Sequence, residues 1–249
     1  MARKPPSSAT PDAQPGPADA PTSAGTPTAS DRERIIAAFM TILGTRAFED
    51  IGFAEIAARA EVSLARLRQN FGSKFSILAA YIKEVDRKVL DGNDAEMASE
   101  PARERLFDVL MRRLEILSPD KDAIRSLMQS ARRDPCLALA LNSMAVRSQQ
   151  WMLTAADIDA CGLRGMVRAQ GTAALYARVL QTFVRDDDPD HARTMAALDR
   201  QIGRGERMSG MLDQLCRLVP SQFMSRAPRS RRRDDDDYDR RTADVGGGE

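Results

Sequence analysis

The chain has 249 residues, of which 43% are hydrophobic and 29% charged, and its formal net charge is +1. These values suit a soluble protein with one or two cores, and they mean that any attraction to a polyanion must come from a local patch. No stretch approaches the roughly 18 apolar residues a membrane-spanning helix needs, and the N-terminus lacks a basic-then-apolar leader pattern, so no membrane span and a cytoplasmic location are expected. A single histidine, His191, argues against His-based metal centres and Ser-His-Asp chemistry. No catalytic residue, metal or cofactor is assigned. Cys136, Cys161 and Cys216 are far apart and odd in number, so buried thiols are expected rather than a disulfide framework or a zinc site.

Residues 1–29 are mostly Pro, Ala, Ser, Thr and Gly, too poor in large apolar groups to offset the entropy of ordering, and are expected to be a disordered tail. Ser30 with Glu33 has the capping-box spacing, and Ile35, Phe39, Ile42 and Leu43 follow at helical intervals, predicting a helix that ends near Ala47. A second helix is predicted over Phe53 to Ala60, with Phe53, Ile56 and Ala57 facing inward. After the break "EVS", Ser63 caps a short helix from Leu64 to about Phe71; Gly72 stops it, and Ser73 caps a longer one carrying Ile77, Leu78, Tyr81, Ile82, Val85 and Val89 on one face. Further helices are predicted around Leu106 to Leu114, after "SPD", and from "DP" at 134–135 to about Asp159. Others follow near 163–185, 189–202 and 206–218. No alternating apolar run suggests a sheet, so the fold class is all-α. The segment 225–249 holds a basic block, an acidic block and terminal glycines, and is expected to be a solvated tail. Arg229, Arg231, Arg232 and Arg233 are minor candidates for phosphate contacts.

Two short helices joined by a tight turn, preceded by a third, have the helix-turn-helix arrangement, in which the second short helix enters the major groove of double-stranded DNA. From Val62 to Lys74 there are three basic residues, Arg66, Arg68 and Lys74, and no acidic one. Arg66, Arg68, Gln69 and Asn70 are residue types that bond base edges. Lys74 and the backbone N–H groups beside Ser73 suit a phosphate at a helix N-terminus. With Ser63, Leu64 and Ala65 at the start of the recognition helix, these form the candidate DNA-binding set. Ile56, Leu67 and Phe71 are core by their spacing.

The stretch "IAARAEVSLARLRQNFGSKFSIL" resembles the N-terminal domain of the TetR family of transcriptional regulators, whose pattern is close to "IA..AGVS.GTLY.YF.SKE.LL". Ile56, Ala57, Ala60, Val62, Ser63, Leu67, Phe71, Ser73, Lys74 and Leu78 match it, within a likeness covering residues 31 to about 80. The chain departs from the pattern where DNA is approached. Glu61 stands for the usual Gly, Arg68 for the usual Tyr, and Gly52 for the usual capping Thr or Ser. Arg68 is able to replace a phosphate-binding hydroxyl with a charge-assisted bond; Gly52 is not.

The resemblance implies a ligand-responsive regulator, most often a repressor, acting as a homodimer on a palindromic operator. A head of residues 30–90 would bind DNA, and a larger helical body of residues 95–220 would dimerise and enclose a small apolar or lipid-like ligand. Met128, Met144, Trp151, Met152, Met166, Leu175 and Phe183 are the candidate pocket lining, and Met also serves as ordinary core filling. Residues 103–207, with "SARRDPCLA", "WMLTAADIDACGLRGMVRAQG" and "FVRDDDPDHARTMAALDRQIGRGER", also resemble the COQ-nine-like proteins, which have a TetR-like fold and bind lipids. That leaves a lipid-binding accessory protein without DNA recognition as the alternative. Asp186, Asp187 and Asp188 precede a predicted helix beginning at Pro189 and are read as opposing its dipole rather than binding a metal, with His191 at or near the surface.

Overall fold

The computed structural model describes residues 30–92 and 95–218. Among them the regular elements are helical and there is no strand, in agreement with the all-α expectation. The two tail segments, with Arg229, Arg231, Arg232 and Arg233, lie outside the described residues.

Helix α1 (Asp31–Leu43) opens on the predicted capping box: Glu33 N–H donates to Ser30 Oγ at 3.3 Å, and Ser30 N–H donates to Glu33 Oε2 at 2.8 Å. It ends at Leu43, short of Ala47, because the chain turns at Gly44 into a single 3-10 turn over Phe48–Asp50. Helices α2 (Phe53–Arg59), α3 (Leu64–Asn70) and α4 (Lys74–Asp91) follow. Ile35, Phe39 and Leu43 of α1, Ile56 of α2, Leu67 of α3 and Ile77 of α4 meet in a first core. Phe53 is not part of it. At the first position of a seven-residue helix it stands at the rim, 43% exposed, while Ile56, Ala57 and Ala60 supply the inner stripe.

Helices α5 (Ala102–Leu117), α6 (Lys121–Arg133), α7 (Pro135–Ala155), α8 (Gly162–Phe183) and α9 (Ala192–Leu218) build a second core around Leu110, Leu114, Met152, Val179, Phe183 and Leu198. Asp134 caps α7 by accepting from the N–H groups of Cys136 and Leu137 at 2.8 and 3.2 Å, with Pro135 in the first turn. In α8, Gly165 has no room for a side chain: a Cβ there would lie 2.0 Å from the carbonyl carbon of Ala160, where the preceding loop folds back on the helix. The two helices expected at 189–202 and 206–218 are one, α9. Gly203 and Gly205 cost about 1 kcal/mol each in helix propensity, and packing of α9 along α8 and α5 overrides that.

Helix α6 takes part in both cores. Ala123, Leu127 and Ala131, four residues apart, pack into the first, whereas Ile124 and Met128 pack into the second. Two bonds tie it to the turn after α1: Phe48 N–H donates to Ser130 Oγ at 3.0 Å, and Ser126 Oγ donates to the Arg46 carbonyl at 2.6 Å. Two further expectations are corrected. Cys136 and Cys161 are exposed, the first in the opening turn of α7 and the second capping α8 just before Gly162; the Cys216 side chain lies outside the description. His191 is buried, wedged between Ser118, Lys121 and Phe183.

Candidate nucleic-acid interface

The turn between α2 and α3 keeps the helix-turn-helix geometry without the usual glycine. Val62 N–H donates to Ala57 O at 3.0 Å and Glu61 N–H to Ala58 O at 3.2 Å, the paired bonds of a Schellman cap. The residue in the left-handed position is Glu61, with φ of 54°. Its side chain is exposed, so the departure from glycine costs backbone strain without blocking the turn. Gly52 caps α2 by backbone alone.

Ser63 caps α3, its Oγ accepting from Arg66 N–H at 3.2 Å. Leu67 and Phe71 are each 3% exposed and root the helix in the first core. The opposite face presents Leu64, Ala65, Arg66, Arg68 and Gln69 to solvent. Asn70 is half-buried and its Nδ2 donates to the Arg66 carbonyl at 2.9 Å, so its amide is partly engaged within its own helix. Arg66 Nε lies 3.4 Å from Asp31 Oδ2, and Arg34 Nη2 donates to Asp31 Oδ1 at 2.6 Å. Arg32 sits over the Phe71 ring at 4.8 Å. The N-terminal turn of α1 therefore joins α3 in one charged surface. Pattern reading missed this contribution because these residues are far from α3 in the chain.

The Ser73–Lys74 step faces inward. Ser73 and Ser76 cap one another, Ser73 N–H donating to Ser76 Oγ at 3.0 Å and Ser76 N–H to Ser73 Oγ at 3.1 Å. Lys74 Nζ donates to the carbonyls of Phe48 at 2.7 Å, Ile51 at 3.0 Å and Glu49 at 3.3 Å, and lies 4.8 Å from the Phe48 ring centre. Burial lowers the Lys74 pKa from its ordinary value, against the opposing pull of Glu49 and Asp50. The Lys74 ammonium, the expected phosphate contact, closes the turn between α1 and α2 through these three bonds.

The seven candidate pocket residues are not brought together as one lining. Met152 and Phe183 are fully buried in the second core, with Met128 and Leu175 packed against it. Met144 packs against the first core, and Trp151 and Met166 are 55% and 58% exposed. The Asp-rich turn is anchored by Asp186. Its Oδ2 accepts from the Thr194 N–H at 2.8 Å and from the Thr194 hydroxyl at 2.6 Å, in the first turn of α9, which begins at Ala192 and not at Pro189. Burial would raise the Asp186 pKa, but the Thr194 hydrogen bonds, with a smaller pull from His191, hold it below the ordinary carboxylate value.

No protein-family model and no curated protein matches the sequence. Solved structures do. A TetR transcriptional regulator from Nitrosomonas europaea superposes with a TM-score of 0.57 at 20% identity, over 72% of this chain and 99% of that one. A TetR regulator from Rhodococcus sp. RHA1 gives 0.48 at 17% identity, over 70% and 95%. The helix order, the capped helix-turn-helix and the superposition on the Nitrosomonas protein establish that this chain has the fold of the TetR-type transcriptional regulators.

Proposed function

We propose that the chain is a DNA-binding transcriptional regulator, a ligand-responsive repressor that works as a homodimer on a palindromic operator. The observation that carries this reading is the division of α3 into two faces. Leu67, with Phe71 just beyond the helix end, is fixed in the core, while Arg66, Arg68 and Gln69 stand in solvent on a helix short enough to enter the major groove. Dimerisation is supported by an apolar surface that a monomer would leave wet: Trp151 near the end of α7, with Leu163, Met166 and Val167 at the start of α8, are between 52% and 66% exposed. A palindromic operator calls for a homodimer whose two recognition helices meet half-sites about one helical turn, ~34 Å, apart. A lipid carrier without DNA recognition would leave the basic face of α3 without a use.

Selection from a randomised DNA pool tests the reading directly. The selected sites are expected to be palindromic, with affinity falling steeply as salt rises. Arg66→Ala or Gln69→Ala is expected to relax preference at one position of each half-site, by about 1–3 kcal/mol. Absence of salt-sensitive binding, both to the pool and to the DNA upstream of the protein's own coding sequence, would refute it.

A further inference from the structure

Arg66 differs from its exposed neighbours on α3 in being held at three points. Its N–H donates to Ser63 Oγ at 3.2 Å and its carbonyl accepts from Asn70 Nδ2 at 2.9 Å, so the root of the side chain is fixed. Further out, Arg66 Nε forms an ion pair with Asp31 Oδ2 at 3.4 Å. Asp31 is itself anchored from behind: its other oxygen, Oδ1, accepts at 2.6 Å from Nη2 of Arg34, one turn on in α1. The Asp31 side chain is 26% exposed, against 65% for Arg66. A rooted carboxylate on α1 thus holds a guanidinium that stands in solvent on α3. No ion pair or side-chain hydrogen bond holds Arg68 or Gln69 among the described residues.

An acidic residue beside a DNA-reading helix works against binding, because it repels the phosphates of every sequence alike. Asp31 favours the N-terminal dipole of α1, but Glu33 in the same turn already places a carboxylate there. What Asp31 adds is orientation. It engages Nε and leaves Nη1 and Nη2 of Arg66 without a hydrogen bond among the described residues. Those two nitrogens form the planar fork that matches O6 and N7 of guanine in the major groove. A long side chain held before binding gives up less rotamer freedom on contact, which sharpens discrimination between bases. We propose that Asp31 is a positioning residue for Arg66, holding its guanidinium to read a guanine in each half-site while lowering affinity for DNA in general. The proposal rests on the regulator reading of α3.

The test titrates the full-length chain, at fixed salt, with its selected operator, with operators substituted singly at the positions that depend on Arg66 and on Gln69, and with an unrelated duplex. The parent is expected to prefer guanine at the Arg66 position by at least about ten-fold. Asp31→Asn keeps the side-chain shape and the Ser30–Glu33 capping box. It is expected to lower that preference at least about three-fold and to raise affinity for the unrelated duplex about two-fold. Asp31→Ala is expected to act in the same directions, and preference at the Gln69 position is expected to be unchanged in both. A merely structural role would instead weaken preference at both positions together, and would overturn the proposal. Higher affinity for every duplex with unaltered preference would also overturn it, by showing Asp31 to be only a charge near DNA. So would an operator in which the Arg66 position is not guanine. Each of these leaves the regulator reading standing, whereas a parent chain with no salt-sensitive DNA binding removes both.

Discussion

Replacing Lys74 by methionine keeps the aliphatic stem but removes the ammonium that holds the carbonyls of Phe48, Glu49 and Ile51. Two of those bonds are of ordinary length and the third is long. At a net 0.5–1.5 kcal/mol per bond, reduced because the group is only half-buried, the expected cost is about 2 kcal/mol. The contact with the Phe48 ring is partly retained by the methionine sulfur, so it adds little. For a chain of this size that is a fall in melting temperature of about 4–8 °C by calorimetry or circular dichroism. If the chain binds DNA as proposed, the logarithmic salt dependence of that binding is expected to keep its slope, since the three carbonyls already occupy this ammonium. An unchanged melting temperature with a slope reduced by about one would show that Lys74 contacts DNA, and would refute the reasoning.

Glu61→Gly is expected to stabilise the head by up to about 1 kcal/mol in chemical denaturation, because glycine adopts the left-handed backbone of that turn at no steric cost. Gly165→Ala forces a Cβ into the Ala160 carbonyl and is expected to cost about 3 kcal/mol or more, visible as loss of soluble folded protein or a strongly lowered denaturation midpoint. Asp186 has its pKa held down in the folded state, so its contribution is present at neutral pH, above the ordinary carboxylate value, and is lost as pH falls through the lowered one. Asp186→Asn is therefore expected to melt lower than the parent at pH 7 and to lose less further stability on acidification, followed by thermal melts across that range.

Short-range signals were the most readable part of the chain. The caps at Ser30, Ser63 and Ser73 follow from hydrogen bonds reaching three residues along the chain, and each is formed. The core positions Phe39, Ile56, Leu67, Phe71 and Ile77 follow from helical period, and all are buried. What sequence could not supply were partners set by tertiary contact. Lys74 looks like a free cation in the string "GSK", and nothing local shows three carbonyls waiting in the preceding turn. Asp86 and Arg113 carry no local signal of pairing, and only the packing of α4 on α5 brings them together. Asp31 and Arg66 likewise meet only because α1 crosses α3. The break expected between residues 202 and 206 is absent for the opposite reason, because the weak helix preference of Gly203 and Gly205 yields to a long packed interface.

The position of α6 bears on how the molecule comes apart. Ala123 and Ile124 are consecutive, yet each completes a different hydrophobic cluster, and Leu137 of α7 also closes the first one. The N-terminal four-helix half therefore lacks an autonomous interior. Cut free after α4, it would leave the side of its cluster covered by α6 and α7 open to water, and heat that loosens the larger half removes the same support. Unfolding of the two halves is accordingly expected to be one cooperative event. Anything that stiffens the body thermodynamically also raises the energy needed to disorder the surface built on α3, even where it touches no residue of that surface.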